Sequence, residues 1–274
     1  MPASSRRRLL APLAAAAAAL VGSAALVGCA GERPSLGAVP PSVPKTTTSV
    51  SSTTQQVPED DGKLGPDELK GWIVTPTGTP QVYEKPDESS TKLDIGPKTE
   101  AGAPTTFAAI GDAGSGPAQE FTGWYQVALP TRPNGSTGWV PVASAKVAKT
   151  PFAVFVDLEG RTLRVDKDGA TVFTAPVAIG TEENPTPQNG SYVTELIDND
   201  NPNGSYGPYA FGLALHSDTL SEFNGSDGQV GIHGTNRPDL IGERVSHGCV
   251  RLKNSDVEEL VALGLPLGVP VFIS

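Results

Sequence analysis

A cysteine stands close to two histidines near the carboxyl end of the chain, and these residue types can form a nucleophilic site. Cys249 follows His247 by two positions and is separated from His233 by 15 residues. A thiol attacks a carbonyl carbon as the thiolate, and a neighbouring imidazole both accepts the proton and stabilises that thiolate. The pattern therefore favours acyl transfer through Cys249.

The residues around the thiol also suit a second requirement of acyl transfer, which is a set of donors for the oxyanion. Backbone N–H groups at Gly248 and Cys249 are candidate donors, and Gly248 lets a substrate approach the chain closely. Val250 and Leu252 alternate with Cys249 and Arg251, which predicts a strand that lies next to a packed core.

Residue types alone leave two other interpretations open. A lone cysteine is commonly a small buried hydrophobe, with a nearby histidine as a hydrogen-bonding partner. His233, His247 and Cys249 are also potential zinc ligands, although a structural zinc site takes four and the chain has no Cys-x-x-Cys or His-Glu-x-x-His pattern. The third histidine, His216, matches no motif and is predicted to be structural.

Short strands are the elements that must position the thiol. Three apolar runs separated by two turns predict a β-meander; the runs are residues 152–156, 162–165 and 170–179. Ser255-Asp256-Val257-Glu258 predicts a capping box and a helix that ends at Gly264. Residues 269–273 then predict a closing strand.

The order and spacing of the motif residues resemble the L,D-transpeptidase (YkuD-type) catalytic domain. That signature has a histidine, a gap, and then Ser/Thr-His-Gly-Cys with a nearby Arg or Asn. The chain has Ile232-His233-Gly234-Thr235 and then Ser246-His247-Gly248-Cys249-Val250-Arg251-Leu252. Residues 178–190 and 254–257 are similar to the family's flanking segments, so the resemblance covers about residues 150–274.

The resemblance implies roles for individual residues. Cys249 is the nucleophile, His233 accepts and returns the proton, and the Gly234 carbonyl orients the imidazole. His247 and Gly248 belong to the oxyanion and substrate region. In an extended segment, the side chains of His247 and Cys249 would start about 7 Å apart on the same side, which agrees with placing His247 beside the substrate.

Two further residues of the motif have expected roles beside the thiol. Ser246 is expected to be a turn or cap residue at the edge of the substrate region. Arg251 is expected to pair either with a substrate carboxylate or with a structural acidic partner.

The implied reaction is a two-step acyl transfer on peptidoglycan. The thiol attacks the third residue of a donor tetrapeptide stem, D-alanine leaves, and the amine of an acceptor stem forms a 3→3 cross-link. The resemblance implies no metal and no cofactor, and it makes carbapenems expected inhibitors. Water, a D-amino acid or a lipoprotein amine are alternative acceptors, and a wall-binding lipoprotein with weak catalysis is a different class of function.

Residues 1–28 have the parts of a bacterial lipoprotein signal peptide. Arg6, Arg7 and Arg8 precede an apolar stretch, and Leu26-Val27-Gly28-Cys29 resembles a lipobox with Cys29 as the lipidated residue. An ordinary signal peptide and a transmembrane anchor are the alternatives. We expect an exported protein that is lipid-anchored to the membrane and faces the cell wall or periplasm.

The region between the signal and the catalytic domain divides into two segments. Residues 29–66 are rich in Pro, Ser and Thr and predict a disordered tether. Residues 67–148 have short apolar runs with Gly-Trp pairs that resemble SH3-like modules. Trp72, Trp124 and Trp139 are expected either in the core of this small barrel or in contact with a ligand.

The fold class is therefore mainly β: a small SH3-like β-barrel followed by an L,D-transpeptidase β-sandwich-type catalytic domain, residues 149–274, with one or two short helices. The net charge is −10, and after residue 28 the chain has 17 basic and 30 acidic residues. Such a surface repels phosphate backbones. Nucleic acid is thus excluded as a partner.

Overall fold

The structure, a computed structural model, describes residues 63–112, 116–117, 123–223 and 225–274. The predicted signal peptide, Cys29 and the tether up to residue 62 lie outside these ranges. Within them, no helix has the length and apolar character needed to cross a membrane.

The first part of the described chain is built from short strands in small antiparallel sheets. One sheet has three strands in the order β4-β1-β9 and another has four in the order β3-β2-β8-β7, while β5 and β6 pair with each other. The strands are β1 (Trp72–Pro76), β2 (Val82–Tyr83), β3 (Lys92–Leu93), β4 (Phe107–Ala108), β5 (Gly111–Asp112), β6 (Gly116–Pro117), β7 (Trp124–Ala128), β8 (Thr137–Pro141) and β9 (Ala145–Lys149). We call this part the N-terminal β unit.

The second part is organised around one eight-stranded mixed sheet in the order β12-β11-β10-β19-β14-β15-β16-β18. Its elements are β10 (Phe152–Asp157), β11 (Thr162–Lys167), β12 (Ala170–Pro176), β13 (Ile179–Gly180), β14 (Gly190–Asp198), β15 (Tyr209–His216), β16 (Gln229–His233), β17 (Arg244–Ser246), β18 (Val250–Arg251), α1 (Asn254–Ala262) and β19 (Pro270–Ile273). The mainly β fold class, the meander and the closing strand are confirmed.

Alternating side chains place the large sheet between two hydrophobic cores. Along β19, Val271 and Ile273 belong to the core of the second part, whereas Phe272 belongs to the core of the N-terminal β unit. Along β14, Val193 and Tyr192 divide in the same way. Because successive side chains of a strand point to opposite faces, each face of this sheet has its own core.

The one α-helix of the described residues begins earlier than the predicted capping box. Lys253 is the N-cap residue and has no side-chain capping bond, while Ser255 Oγ donates to Asp256 Oδ1 at 3.1 Å. The predicted capping box is therefore wrong. The expected end at Gly264 agrees with its φ of 71°, the left-handed conformation that glycine adopts after a helix.

The ends of the N-terminal β unit refine two other expectations. Residues 63–66, which the sequence assigns to the tether, lead into a turn at residues 66–68, and the Leu64 N–H donates to Asn189 Oδ1 at 2.7 Å. Trp72, Trp124 and Trp139 are all half-buried. They flank a core that smaller and other aromatic residues fill: Val74, Val82, Phe107, Tyr125, Val127 and Val140.

Candidate active site

Two neighbouring parallel strands bring the motif residues together. Strand β16 ends at His233, and β18 begins directly after Cys249; their register pairs Ile232 with Val250. Val250 is fully buried and so is Leu252, whereas Cys249 and Arg251 line a cleft. This is the alternation expected from the sequence, and it directs the thiol away from the core.

A tight turn presents the cysteine. Ser246 Oγ donates to the Cys249 carbonyl oxygen at 2.6 Å and accepts a hydrogen bond from the Gly248 N–H at 3.1 Å. Gly248 has a φ of 120°, a backbone conformation that residues other than glycine rarely adopt. The assumption of an extended segment between His247 and Cys249 is therefore wrong, although both side chains still line the same cleft.

This turn also bears on the oxyanion donors. The Gly248 N–H, one of the two expected donors, is engaged by the buried Ser246 hydroxyl. The Cys249 N–H is the other expected donor. The Ser246 hydroxyl does not bind it, so it can donate to a substrate oxyanion. Ser246 was expected to be a turn or cap residue, and its side chain forms the hydrogen bonds of this turn.

The imidazole of His233 is held in a defined tautomer. Its Nδ1 lies 2.6 Å from the Gly234 carbonyl oxygen, the contact that the family resemblance implies. A carbonyl oxygen only accepts, so Nδ1 carries the proton and Nε2 keeps its lone pair. Burial lowers the pKa of His233 to about 4, against an opposing effect of the Gly234 hydrogen bond. The ring is therefore a neutral base at physiological pH.

The thiol is also neutral at rest. Burial raises the pKa of Cys249, while a hydrogen bond from the Gly231 backbone and the positive charge of Arg251 act in the opposite direction. In the part of the chain that the structure describes, no hydrogen bond joins the thiol to His233. The two groups face one cleft as a thiol and an imidazole, not as an ion pair.

The cleft has a volume of about 220 Å³ and is open on one side. Arg251 lines it, and its Nε is buried without a hydrogen-bond partner. Among the residues described, no carboxylate lies within ion-pair distance of Arg251. Arg251 was expected to pair either with a substrate carboxylate or with a structural acidic residue. The structural ion pair is not formed among the described residues.

Sequence reasoning missed three residues that shape the cleft. The Tyr206 ring lies tilted against the imidazole of His233 with ring centroids 4.7 Å apart, and Phe223 stacks on the ring of His247 at 5.0 Å. Asn254 Oδ1 accepts the Thr235 N–H at 2.8 Å. Tyr206 lies in a Gly/Pro/Asn-rich stretch, and Asn254 opens the family-like segment after the cysteine, but no pattern pointed to Phe223.

The remaining histidine lies away from the thiol. His216 is buried, and its Nε2 lies 2.9 Å from Asp227 Oδ2. No group of three or more His, Cys, Asp or Glu side chains in the described ranges is arranged to hold a metal ion. His233, His247 and Cys249 therefore do not converge as a ligand set.

Comparison with known proteins identifies the class of domain that this site belongs to. Residues 151–273 match the YkuD L,D-transpeptidase catalytic domain family. The chain is 37% identical over 124 residues to YkuD of Bacillus licheniformis, named as an L,D-transpeptidase, which covers 45% of the chain and 66% of that protein. It is 30% identical over 145 residues to YqjB of Bacillus subtilis, also named as an L,D-transpeptidase, which covers 49% of the chain and 77% of that protein.

The chain belongs to the L,D-transpeptidase (YkuD) family and carries its catalytic domain. It spans slightly less than two thirds of the length of the Bacillus licheniformis relative. Among solved structures, L,D-transpeptidase 3 from Mycobacterium tuberculosis, in complex with a faropenem-derived adduct, is 16% identical with a TM-score of 0.38 over 62% of this chain and 91% of that chain. The family assignment rests on the sequence matches.

Proposed function

We propose that this protein is a peptidoglycan L,D-transpeptidase that forms 3→3 cross-links through a thioester on Cys249. The observation that carries the proposal is that Cys249 and a His233 fixed in the Nδ1–H tautomer line one cleft with an unpaired arginine. Family membership supports the reaction class, and the geometry of the cleft supports the proposed nucleophile and base.

In the acylation step the thiol and imidazole act together. The Cys249 proton moves to His233 Nε2 as the sulfur attacks the carbonyl carbon of the third residue in the donor stem. The bond from that carbonyl to the amine of the terminal D-alanine breaks, and the amine leaves with the proton held by His233. Because both groups rest neutral, the proton transfer accompanies the attack and does not precede it.

The second step reverses the proton transfers. The side-chain amine of an acceptor stem attacks the thioester carbonyl and gives a proton to His233 Nε2. The carbon–sulfur bond breaks, the sulfur takes the proton back, and an amide replaces the amide that was cleaved. The reaction is balanced without an oxidant, a metal or a cofactor.

Arg251 and the turn before the thiol complete the proposed site. Arg251 is half-buried, and its Nε is buried in the site without a hydrogen-bond partner, so we assign its side chain to a carboxylate or carbonyl of the stem peptide. The Cys249 N–H is the oxyanion donor that we favour because the Gly248 N–H is bonded to Ser246. His247, which lies within this turn and lines the cleft, borders the substrate in this proposal.

The proposal includes export and a lipid anchor at Cys29. The lipobox-like residues Leu26 to Cys29 and the apolar stretch before them support it. Cys29→Ser is expected to move the protein from the membrane fraction to the soluble fraction of cells. The protein remaining in the membrane fraction would contradict the anchor.

Intact-mass spectrometry of the protein with a carbapenem tests the nucleophile. The sulfur opens the lactam ring, so the expected adduct has the full mass of the inhibitor and maps to Cys249. Incubation with a defined tetrapeptide and an acceptor stem is then expected to release D-alanine and yield the 3→3 dimer. Replacement of the acceptor by water or a D-amino acid in the products would identify the alternative reactions.

Two variants separate the roles in this test. Cys249→Ala is expected to abolish both the adduct and the dimer, whereas His233→Ala is expected to slow both by at least about a hundredfold because the general base is lost. Full adduct formation and cross-linking by Cys249→Ala would rule out Cys249 as the nucleophile, whereas the absence of both products with the wild-type protein would leave wall binding as the function.

A further inference from the structure

One wall of the thiol cleft is a loop that the N-terminal β unit holds in place. This loop, residues 217–223 and 225–228, connects β15 to β16 and is called the cleft loop below. Its cleft-lining residues are Ser217, Leu220, Phe223 and Gly228. Phe223 is the residue whose ring stacks on His247 of the cysteine motif.

Arg132 binds both ends of the cleft loop. It lies in the turn between β7 and β8, and its guanidinium donates to three backbone carbonyl oxygens: Ser217 at 2.7 Å, Leu220 at 2.8 Å and Asp227 at 2.9 Å. Hydrogen bonds from a charged donor are stronger than neutral ones, and the guanidinium fork fixes several acceptors at once. One side chain thus joins positions that lie ten residues apart along the loop.

Asn134, two residues further on in the same turn, adds a second attachment at the start of the loop. Its Oδ1 accepts the His216 N–H at 2.9 Å, and its Nδ2 donates to the His216 carbonyl at 2.8 Å and to Asp218 Oδ1 at 3.0 Å. Together the two side chains make six hydrogen bonds across the boundary between the parts of the chain.

The loop itself is shaped to receive the arginine. Gly228 has a φ of 79°, and a Cβ there would lie 2.9 Å from Arg132 Nη2 and would collide with the Leu220 carbonyl oxygen. Gly228 also lines the thiol cleft. Gly228 therefore packs against Arg132 and also lines the cleft.

We infer that Arg132 and Asn134 are positioning residues of the active site: through the cleft loop and Phe223 they hold the substrate-binding wall beside His247. The inference rests on the proposed function, because it concerns the cleft in which Cys249 is acylated. It gives the N-terminal β unit a part in substrate binding without any direct contact to the reacting atoms.

The expected effect is on binding and not on the chemistry of the thiol. Without the hydrogen bonds of Arg132 and Asn134, the cleft loop samples conformations in which the wall is displaced. The apparent affinity for the substrate then decreases in proportion to the fraction of molecules that keep the binding-competent conformation. His233 is the last residue of β16 and Cys249 directly precedes β18, so both lie outside the loop. Their reactivity towards a small reagent should not depend on it.

The test is the rate of Cys249 acylation in the full-length protein as a function of carbapenem concentration, followed by intact mass. Arg132→Ala is expected to raise the half-saturating concentration about tenfold and Asn134→Ala about threefold, with maximal rates within about twofold of wild type. Arg132→Lys, which keeps the charge but not the fork, is expected to lie between wild type and Arg132→Ala. Alkylation by iodoacetamide should be unchanged in all three.

Arg164→Ala is the matched control, since Arg164 forms a partly exposed ion pair with Asp166 in β11 at the far end of the large sheet. It should acylate like wild type. Superimposable saturation curves for Arg132→Ala, Asn134→Ala and wild type would overturn the inference, and so would an equal loss of iodoacetamide alkylation. If Arg132→Ala does not fold, Asn134→Ala and Arg132→Lys decide the question. Absence of any adduct on the wild-type protein would instead contradict the proposed function, and the inference would fall with it.

Discussion

At the scale of single residues, the site combines two groups whose pKa values burial moves in opposite directions. The pKa of Cys249 is raised and that of His233 is lowered to about 4. Desolvation penalises whichever form is charged, so both shifts favour the neutral pair. The resting enzyme is therefore expected to react slowly with general alkylating agents and to develop its nucleophile only when a carbonyl is bound.

This neutral pair predicts a particular pH dependence. Alkylation of Cys249 by iodoacetamide should rise about tenfold per pH unit from pH 6 to 8, because the thiolate fraction grows without reaching a plateau. Acylation by a carbapenem should persist down to about pH 4, where His233 becomes protonated and can no longer accept the proton. A rate plateau for alkylation between pH 5 and 7 would instead indicate a thiolate–imidazolium pair.

Gly248 offers a second prediction at this scale. Gly248→Ala places a Cβ 3.6 Å from the nearest atom, an ordinary contact, so its cost arises from the φ of 120°. We expect a loss of about 1–3 kcal/mol in unfolding free energy and at least about a tenfold loss in acylation rate, because the turn that presents Cys249 must shift. Urea unfolding and carbapenem labelling measure the two effects.

Gly169→Ala is the control for this substitution. Gly169 has a φ of 79° in the β11–β12 turn, and a Cβ there would meet nothing within 4 Å. It should lose a comparable amount of stability and keep its full acylation rate. Equal loss of acylation in both variants would show that strain, and not the position of the thiol, limits the reaction.

At the scale of elements, Asn254 connects three of them at the edge of the cleft. Its Oδ1 accepts the N–H of Thr235, which follows β16, and its Nδ2 donates to the Pro202 carbonyl at 3.2 Å in the loop that carries Tyr206. Asn254 is also the first residue of α1. This side chain therefore connects the loop that carries Tyr206 to the residues that follow β16.

Substitution at the start of α1 separates this connection from helix capping. Asn254→Ala is expected to cost about 1–3 kcal/mol of unfolding free energy, since the Thr235 N–H loses its acceptor. Ser255→Ala, one residue later, should cost less than about 0.5 kcal/mol because its hydroxyl contacts only Asp256. A loss of about 1 kcal/mol in unfolding free energy for Ser255→Ala would instead support the capping box that the sequence predicts.

At the scale of the whole molecule, the two parts of the described chain are packed through one sheet. Tyr192, Ala214 and Phe272 come from the large sheet but lie in the core of the N-terminal β unit. Tyr192 is completely buried, and Phe272 is 8% exposed. The boundary that the family match draws at residue 151 is therefore a boundary in sequence and not in packing.

This shared core predicts cooperative unfolding. The full-length protein should show a single calorimetric transition that includes both parts, whereas residues 150–274 alone should lose on the order of 5 kcal/mol as the two aromatic side chains become exposed. Urea unfolding of the shortened chain measures the loss. Two separate transitions, with an unchanged midpoint for the shortened chain, would show that the parts are independent.

The sequence by itself was enough to predict the strands of the meander, the closing strand and the family, and it singled out Cys249 and His233 as candidate site residues. These features depend on local patterns: alternation along a strand, turn residues, and a motif with a characteristic gap. The contact between His233 and the Gly234 carbonyl is also local, since it joins neighbouring residues. Such features are encoded over a few positions and are therefore readable without the fold.

Only the tertiary structure decided what surrounds the thiol. Phe223 contacts His247 from another loop, and Arg132 binds Ser217, which is 85 positions away in the sequence. Asn254 accepts a hydrogen bond from the N–H of Thr235, which is 19 positions away. Pairing across such distances depends on how β16, α1 and the N-terminal β unit pack, and no periodicity in the chain records it. Burial likewise follows from packing, so the lowered pKa of His233 and the raised pKa of Cys249 became apparent only in the folded protein.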